Sequence, residues 1–179
     1  SVVSDVRDKI KAGADWIDVG AQSTRPNSQP VSLTEELKRL QVLNEVRSAF
    51  PDQLLSLDTY NSVVARNAIE LYGVNMINDV SGLSDPEMIS LINEFRIPYV
   101  LTFSENRLNR IKSEDQNPED LITRMLAFFK SKLSQLPEEL IVLDPGFGFN
   151  KSINDNFVIL KHLERIKPLG RPILVGLSR

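Results

Sequence analysis

Six short apolar runs alternate with longer amphipathic segments along this chain of 179 residues, and this alternation limits the possible fold more than any other feature. Each run is nearly continuous in apolar character, which is typical of strands that are buried on both faces of a parallel sheet. The predicted strands are residues 16–20, 54–58, 75–80, 98–103, 140–144 and 172–176. Trp16, at the start of the first run, is predicted to lie in the core.

The segments between these runs carry the signals of helix ends. Ser4 is predicted to cap a helix over residues 5–14, and Asn117-Pro118 has the polar cap and first-turn proline of another helix. Each helix precedes a strand, which favours right-handed crossovers and a parallel sheet. An open doubly wound sheet and a (β/α)8 barrel both fit this order. The remaining predicted helices are residues 34–50, 61–72, 88–95, 121–136 and 154–166.

Composition excludes several classes of protein. The formal net charge is −3, so the chain has no basic excess of the kind that nucleic acids attract. It has no cysteine and one histidine, which excludes disulfides, thiolate metal sites and histidine-rich metal sites. No apolar run approaches the roughly 18 residues of a membrane span. We therefore expect a cytoplasmic protein that binds neither nucleic acid nor membranes.

Polar residues stand at the carboxyl ends of the predicted strands, where parallel α/β proteins bind their ligands. Asp58, Asn78, Asp79 and Asp144 end three of the runs, and Asp18 lies inside the first. A single strand-end aspartate is more often a loop or helix-cap residue. The repetition at several strand ends favours a ligand site, because a buried carboxylate needs a partner.

Two loops add candidate binding groups. Residues 22–30 contain Ser23, Thr24 and Arg25, whose hydroxyls and guanidinium suit an oxyanion, although an ordinary surface loop explains them equally well. Residues 144–151 contain two glycines, which permit close approach of a ligand, and two aromatic rings. Phe147 and Phe149 are predicted either to face a flat heterocycle or to pack into the core.

Five motifs, in order along nearly the whole chain, together resemble the dihydropteroate synthase family. The resemblance implies a (β/α)8 TIM barrel, with residues 1–179 forming a single pterin-binding domain that supplies about six strands. It also implies that the family's first strand and last βα units lie outside this segment, and that the segment alone would not form a stable barrel. The motifs are residues 13–20 followed by Ser23-Thr24-Arg25-Pro26, then Ser56-Leu57-Asp58-Thr59, then residues 77–82, 143–149 and 174–179.

The resemblance implies an enzyme of folate biosynthesis and a sulfonamide target. Such a transferase condenses 6-hydroxymethyl-7,8-dihydropterin pyrophosphate with p-aminobenzoate to give 7,8-dihydropteroate and pyrophosphate. Asp58, Asn78 and Asp144 would bind the pterin, and Asp58 would also be catalytic. Mg2+ would sit on the pyrophosphate with no protein ligand in this segment, and the protein would be a homodimer. The residues implied to bind pyrophosphate or p-aminobenzoate are Thr24, Arg25, Pro26, Phe149 and Ser178.

One departure from the family keeps alternatives open. Thr102-Phe103-Ser104 stands where Met-His-Met is usual, which changes a wall of the implied pocket. A pterin-binding paralogue without synthase activity is therefore one alternative. The pterin-binding domain of a corrinoid-linked methyltransferase is another, although the Ser23-Thr24-Arg25-Pro26 motif argues against it.

Overall fold

The structure, a computed structural model, describes residues 1–21, 31–104, 117–149 and 151–176. The chain divides into two compact units, Ser1–Asn78 and Asp79–Arg179. No helix in the described ranges is long and apolar enough to cross a membrane.

The first unit is built on parallel strands, with β1 paired to β2 and β2 paired to β3. Asn61 caps α4 through its side chain, and Gly73 ends that helix in the left-handed conformation. Its elements are α1 (Val2–Lys11), β1 (Trp16–Gly20), α2 (Leu33–Arg39), α3 (Val42–Ala49), β2 (Leu54–Asp58), α4 (Ser62–Tyr72) and β3 (Met76–Asp79), whose last residue opens the second unit.

Two helix predictions in this unit were wrong in detail. The first helix begins at Val2 and is capped by Ser1, whose hydroxyl accepts the Ser4 N–H, so Ser4 lies inside the helix. The single helix predicted over residues 34–50 is two helices, α2 and α3, separated at Leu40 and Gln41. Leu40 is nevertheless buried, which explains why the apolar spacing continued across the break.

The strands of the first unit have one apolar, buried face and one mixed face that is only partly buried, so the prediction that they are buried on both faces was wrong here. Ile17, Leu57 and Ile77 lie on the apolar face and are buried. Side chains alternate along a strand, so the intervening residues form the opposite face, which carries polar groups. Trp16 belongs to this second set and is 39% exposed, not a core residue.

In the second unit, β4 and β5 pair in parallel. The sixth predicted strand, residues 172–176, is reduced to one bridge between Leu143 and Ile173. Its proline has no N–H with which to extend the ladder. The elements are α5 (Glu87–Phe95), β4 (Tyr99–Thr102), α6 (Pro118–Leu133), a 3-10 helix (Glu138–Leu140), β5 (Ile141–Asp144), α7 (Ile153–Lys161) and a second 3-10 helix (Leu163–Leu169).

The apolar core of the second unit contains the strands and an aromatic cluster. All four residues of β4 are fully buried. Phe103, which follows β4, contacts Phe128 and Phe129 of α6, with ring centroids 5.5 and 6.3 Å away. This cluster fixes Phe103, at the carboxyl end of β4, against α6.

Candidate functional site

Asp58 and Asn78 lie side by side at the carboxyl ends of their strands. The register pairs Gly20 with Asp58, and Asp58 with Asn78, so the three residues form one row across β1, β2 and β3. Residues paired in a parallel register point to the same face of the sheet. Gly20 contributes no side chain to this row. Both polar side chains are half-buried.

A second row lies one step closer to the amino-terminal ends of the strands and supports the first. It contains Asp18 and Ser56, which are register partners. The Ser56 hydroxyl donates to Oδ1 of Asp18 at 2.6 Å, and Nδ2 of Asn78 donates to Oδ2 of the same carboxylate at 3.0 Å. One carboxylate therefore holds a side chain from each of the two other strands.

The remaining polar atom of Asn78 is left available by this arrangement. Its Oδ1 is buried and accepts no hydrogen bond from any residue that the structure describes. A buried carbonyl oxygen without a donor is costly, at about 1–3 kcal/mol. A ligand N–H or a water molecule at this position would satisfy it.

The end of β2 is also tied to α2. The Thr59 hydroxyl donates to Oε1 of Glu36 at 3.0 Å, and the Thr59 N–H donates to the Asn78 carbonyl. Glu36 is 3% exposed, and its burial raises the pKa of the carboxyl, while the hydrogen bond from Thr59 opposes that rise. This pair fixes the position of the residue that follows Asp58.

In the second unit, Asp144 ends β5 and is buried. Its Oδ1 accepts the Gly146 N–H at 2.8 Å, and its Oδ2 accepts the Thr102 hydroxyl at 3.4 Å. Burial raises the pKa of the Asp144 carboxyl, opposed by the Gly146 N–H, the charge of Lys151 and the Thr102 hydroxyl. The Asp144 carboxylate therefore stands at the end of the strand, where the backbone of the following loop binds one of its oxygens.

Lys151 holds the loop after β5 in place. Its Nζ donates to the carbonyl oxygens of Gly146 at 2.8 Å, Phe149 at 3.2 Å and Phe103 at 2.9 Å, and lies 4.8 Å from the centre of the Phe103 ring. A Cβ at Gly146 would stand 2.4 Å from the Phe103 carbonyl oxygen. The backbone at Phe103 therefore packs against the backbone at Gly146, which requires glycine.

The two aromatic residues of this loop differ in exposure. Phe147 is 5% exposed and belongs to the core, whereas Phe149 is half-buried. The core position is therefore confirmed for Phe147, whereas contact between Phe149 and a ligand stays a prediction.

Asp79 does not share the surroundings of the other strand-end residues. Adjacent residues of a strand point to opposite faces, so Asp79 faces away from the side that Asn78 occupies. It is fully buried, accepts the Tyr99 hydroxyl at 2.5 Å and accepts the Ser81 N–H at 2.7 Å. The expectation that it belongs with the ligand-site residues was wrong, because its oxygens are bound by the protein itself.

Several residues of the predicted site fall outside the described ranges, namely Thr24, Arg25, Pro26 and Ser178. Asp58 and Asn78 belong to the first unit and Asp144 to the second, so their convergence on one ligand stays a prediction. Among the described residues, no group of three or more histidine, cysteine, aspartate or glutamate side chains is placed to hold a metal ion.

Sequence reasoning missed the supporting residues. It noted Asp18 and Lys151 without assigning them a role, and it did not identify Ser56 or Glu36 as polar partners. Ser56 and Asp58 are two residues apart on one predicted strand, so their side chains point to the same face. Asp18 lies at the matching place in the preceding strand, and this spacing was a usable signal that the three side chains share a face. Nothing local in the sequence indicated that Lys151 binds three carbonyl groups.

Parallel strands that alternate with helices and carry polar groups at their carboxyl ends are typical of α/β proteins, which bind their ligands at those ends. Comparison with known proteins identifies the class more closely. The sequence profile of the pterin-binding enzymes matches residues 1–179, and the chain belongs to this family.

Individual relatives agree with this assignment. Dihydropteroate synthases from Clostridium beijerinckii and Streptococcus pyogenes are 39% and 35% identical, each over 99% of this chain. The chain spans 65% and 66% of their lengths, slightly less than two thirds.

Solved structures show the same fold. A dihydropteroate synthase from Clostridium difficile, solved in the presence of pteroic acid, matches 98% of this chain and 66% of its own, with a TM-score of 0.87 and 34% identity. One from Anaplasma phagocytophilum, with bound 6-hydroxymethylpterin-monophosphate, matches 97% of this chain and 69% of its own, with a TM-score of 0.88 and 33% identity. The chain therefore has the fold of part of a (β/α)8 TIM barrel, as the resemblance implied.

Proposed function

We propose that the intact protein is a dihydropteroate synthase, which joins a dihydropterin pyrophosphate to p-aminobenzoate in folate biosynthesis. The observation that carries the proposal is the row at the strand ends of the first unit. There, Asp58 stands beside an Asn78 whose Oδ1 accepts no hydrogen bond from the described residues. Two hydrogen-bond acceptors side by side suit the donor-rich edge of a pterin, and the chain belongs to a family of pterin-binding enzymes.

In this proposal, Asp58, Asn78 and Asp144 bind one pterin. Asp144 is held in place, since the Gly146 N–H and the Thr102 hydroxyl both bind its carboxylate. A carboxylate that is already oriented loses little freedom when it binds two ligand N–H groups. The pterin would be recognised by its hydrogen-bond donors, and its flat ring would lie across the strand ends.

The chemical step is a substitution at the methylene carbon of the pterin. The amine nitrogen of p-aminobenzoate forms a bond to this carbon, the bond from the carbon to the pyrophosphate oxygen breaks, and the nitrogen loses a proton. Positive charge develops on the pterin as pyrophosphate leaves. We assign to Asp58 the stabilisation of this charge, because a fixed anion close to a developing cation lowers the barrier.

The second substrate and the pyrophosphate would be bound by the loops. Phe149 is half-buried after β5, and its carbonyl oxygen accepts from Lys151, so the ring would be held for contact with p-aminobenzoate. The family resemblance assigns Thr24, Arg25, Pro26 and Ser178 to the same part of the reaction. Arg25 would bind pyrophosphate, since a guanidinium pairs with phosphate oxygens through two parallel hydrogen bonds.

The Mg2+ ion of the proposal would enter with the pyrophosphate. The described residues offer no cluster of three carboxylate or imidazole ligands, so they do not fit a metal site built by the protein. We therefore derive no step that depends on a protein-bound ion. Pyrophosphate oxygens are themselves the hard ligands that Mg2+ prefers.

We also propose that the protein is a homodimer. Ile153, Phe157 and Leu160 are exposed and lie at helical spacing along one side of α7. A second copy of the same face is a suitable cover for this stripe. Sedimentation of the intact protein would test the proposal. We expect a dimer, and we expect Phe157→Glu to dissociate it.

A cytoplasmic location stays a prediction.

The experiment for the proposed activity measures pyrophosphate release by the intact protein. Release should require both the dihydropterin pyrophosphate and p-aminobenzoate, and Asp58→Asn should reduce turnover at least about a hundredfold, as loss of one transition-state contact commonly does. Asp52→Asn, the same change at an exposed acid before β2, is the control. Binding of the pterin without turnover would instead support a pterin-binding paralogue.

A further inference from the structure

The orientation of the Asn78 amide is set by a neighbour that sequence analysis left without a role. We propose that Asp18 is a positioning residue, which fixes this amide so that Oδ1 is offered to the ligand. Nδ2 of Asn78 lies 3.0 Å from Oδ2 of Asp18. The inference rests on the proposed function, because the ligand in question is the pterin.

The chemistry of the two groups determines the orientation. An ionised carboxylate only accepts hydrogen bonds, whereas an amide donates from its nitrogen and accepts at its oxygen. Asp18 therefore requires the NH2 group, and the reverse orientation would place two oxygen atoms against each other. The carbonyl oxygen is turned away from Asp18, where it is buried and accepts from no described residue. Asn78 consequently presents an acceptor and not a donor.

Asp18 is itself held in place. The Ser56 hydroxyl donates to its other oxygen at 2.6 Å, and Asp18 and Ser56 are register partners on adjacent strands. Asp18 stands one row away from the row of Asp58 and Asn78, toward the amino-terminal ends of the strands. Its effect on a ligand at the strand ends is therefore transmitted through Asn78.

A double-mutant cycle separates this role from direct contact with the ligand. The variants are Asp18→Asn, Asn78→Ala and the pair together, made in the intact protein. The measurement is calorimetric affinity for 6-hydroxymethylpterin. Asp18→Asn introduces a donor of nearly the same size, so the Asn78 amide loses its single preferred orientation. Affinity should fall about tenfold with Asn78 present, and by less than about twofold in the Asn78→Ala background.

Two further variants make the cycle specific. Asp15→Asn is the matched control, since Asp15 precedes β1, is exposed and should leave the affinity unchanged. Ser56→Ala removes the bond that holds Asp18 and should weaken binding by a smaller factor, again only when Asn78 is present. Ser56→Ala also keeps the inference testable if Asp18→Asn does not fold.

A second measurement is independent of pterin binding. The side-chain NH2 protons of Asn78, assigned with Asn78→Ala, should exchange slowly with solvent in the ligand-free protein, and Asp18→Asn should speed their exchange. If the unaltered protein did not bind the pterin, the proposed function would be wrong. The exchange rates would still test whether Asp18 fixes the Asn78 amide, because they are measured without ligand. An equal loss of affinity in both backgrounds, or unchanged affinity and exchange in Asp18→Asn, would overturn the inference.

Discussion

The Tyr99 hydroxyl donates a hydrogen bond of 2.5 Å to Oδ2 of Asp79, and both side chains are fully buried. Burial raises the pKa of the Asp79 carboxyl, although hydrogen bonds from Ser81 and Tyr99 oppose the rise. The pKa of Tyr99 is also raised, first by burial and then by the charge of Asp79. Asp79 therefore joins the start of the loop after β3 to β4, through the Ser81 N–H and the Tyr99 hydroxyl.

This pair predicts a specific dependence of stability on pH. Because the pKa of Asp79 is higher in the folded state, the folded protein binds the proton more tightly than the unfolded chain does. The free energy of unfolding should therefore fall, relative to Asp79→Asn, as pH rises above about 4, where an unfolded aspartate loses its proton. Urea unfolding at a series of pH values would measure this difference. Asp52→Asn, at an exposed site, should give a curve parallel to the unaltered protein, and a parallel curve for Asp79→Asn would contradict the account.

Gly146 should tolerate no side chain. Its φ is +71° and an added Cβ would lie 2.4 Å from the Phe103 carbonyl oxygen. Gly170 is the matched control, with φ of +70° and nothing within 4 Å of an added Cβ. Gly170→Ala should cost about 1–2 kcal/mol from the left-handed backbone alone, and Gly146→Ala about 2 kcal/mol more. Equal losses of unfolding free energy would show that Gly146 and Phe103 do not pack as described.

Removal of the Lys151 charge should shift the pH dependence of the reaction. The charge of Lys151 lowers the pKa of Asp144, which burial raises. Lys151→Met should therefore raise that pKa further, so that kcat/KM begins to fall at a higher pH as the solution is acidified. Lys161→Met, at an exposed lysine on α7, serves as the control. An unchanged acid limb would mean that Asp144 need not be ionised for activity.

Phe149 and Phe147 should respond differently to the same substitution. Phe149→Ala should raise the KM for p-aminobenzoate about tenfold with little change in stability, as expected for loss of one aromatic contact. Phe147→Ala should instead reduce the free energy of unfolding by about 3–5 kcal/mol, because this ring is buried. A KM for p-aminobenzoate that Phe149→Ala leaves unchanged would remove this residue from the site.

The sequence predicted what depends on local chemistry and periodicity. The cap at Asn61, the left-handed Gly73 and the strand-end positions of Asp58 and Asn78 all follow from residues close to one another in the chain. The division of residues 34–50 into two helices was missed because Leu40, which lies at the break, is buried like the apolar residues of the helices. The apolar spacing therefore continues across the break.

Contacts between distant residues were beyond local patterns. Asn78 and Asp18 are bonded although 60 residues separate them. Lys151 reaches the carbonyl oxygen of Phe103, 48 residues away. Asp79 is different, because the alternation of side chains along a strand already places it on the face opposite Asn78. The two residues were grouped in the sequence analysis because both stand at the end of the same predicted strand.

Asp58, Asn78 and Asp144 are proposed to bind one pterin, and a crystal structure of the intact protein with 6-hydroxymethylpterin bound would test this. We expect an oxygen of each of the three side chains to lie within about 3.2 Å of a ligand nitrogen, with the ring at the carboxyl ends of the strands. A pterin bound elsewhere, or one that contacts Asp58 and Asn78 while Asp144 stays beyond hydrogen-bond distance, would contradict it.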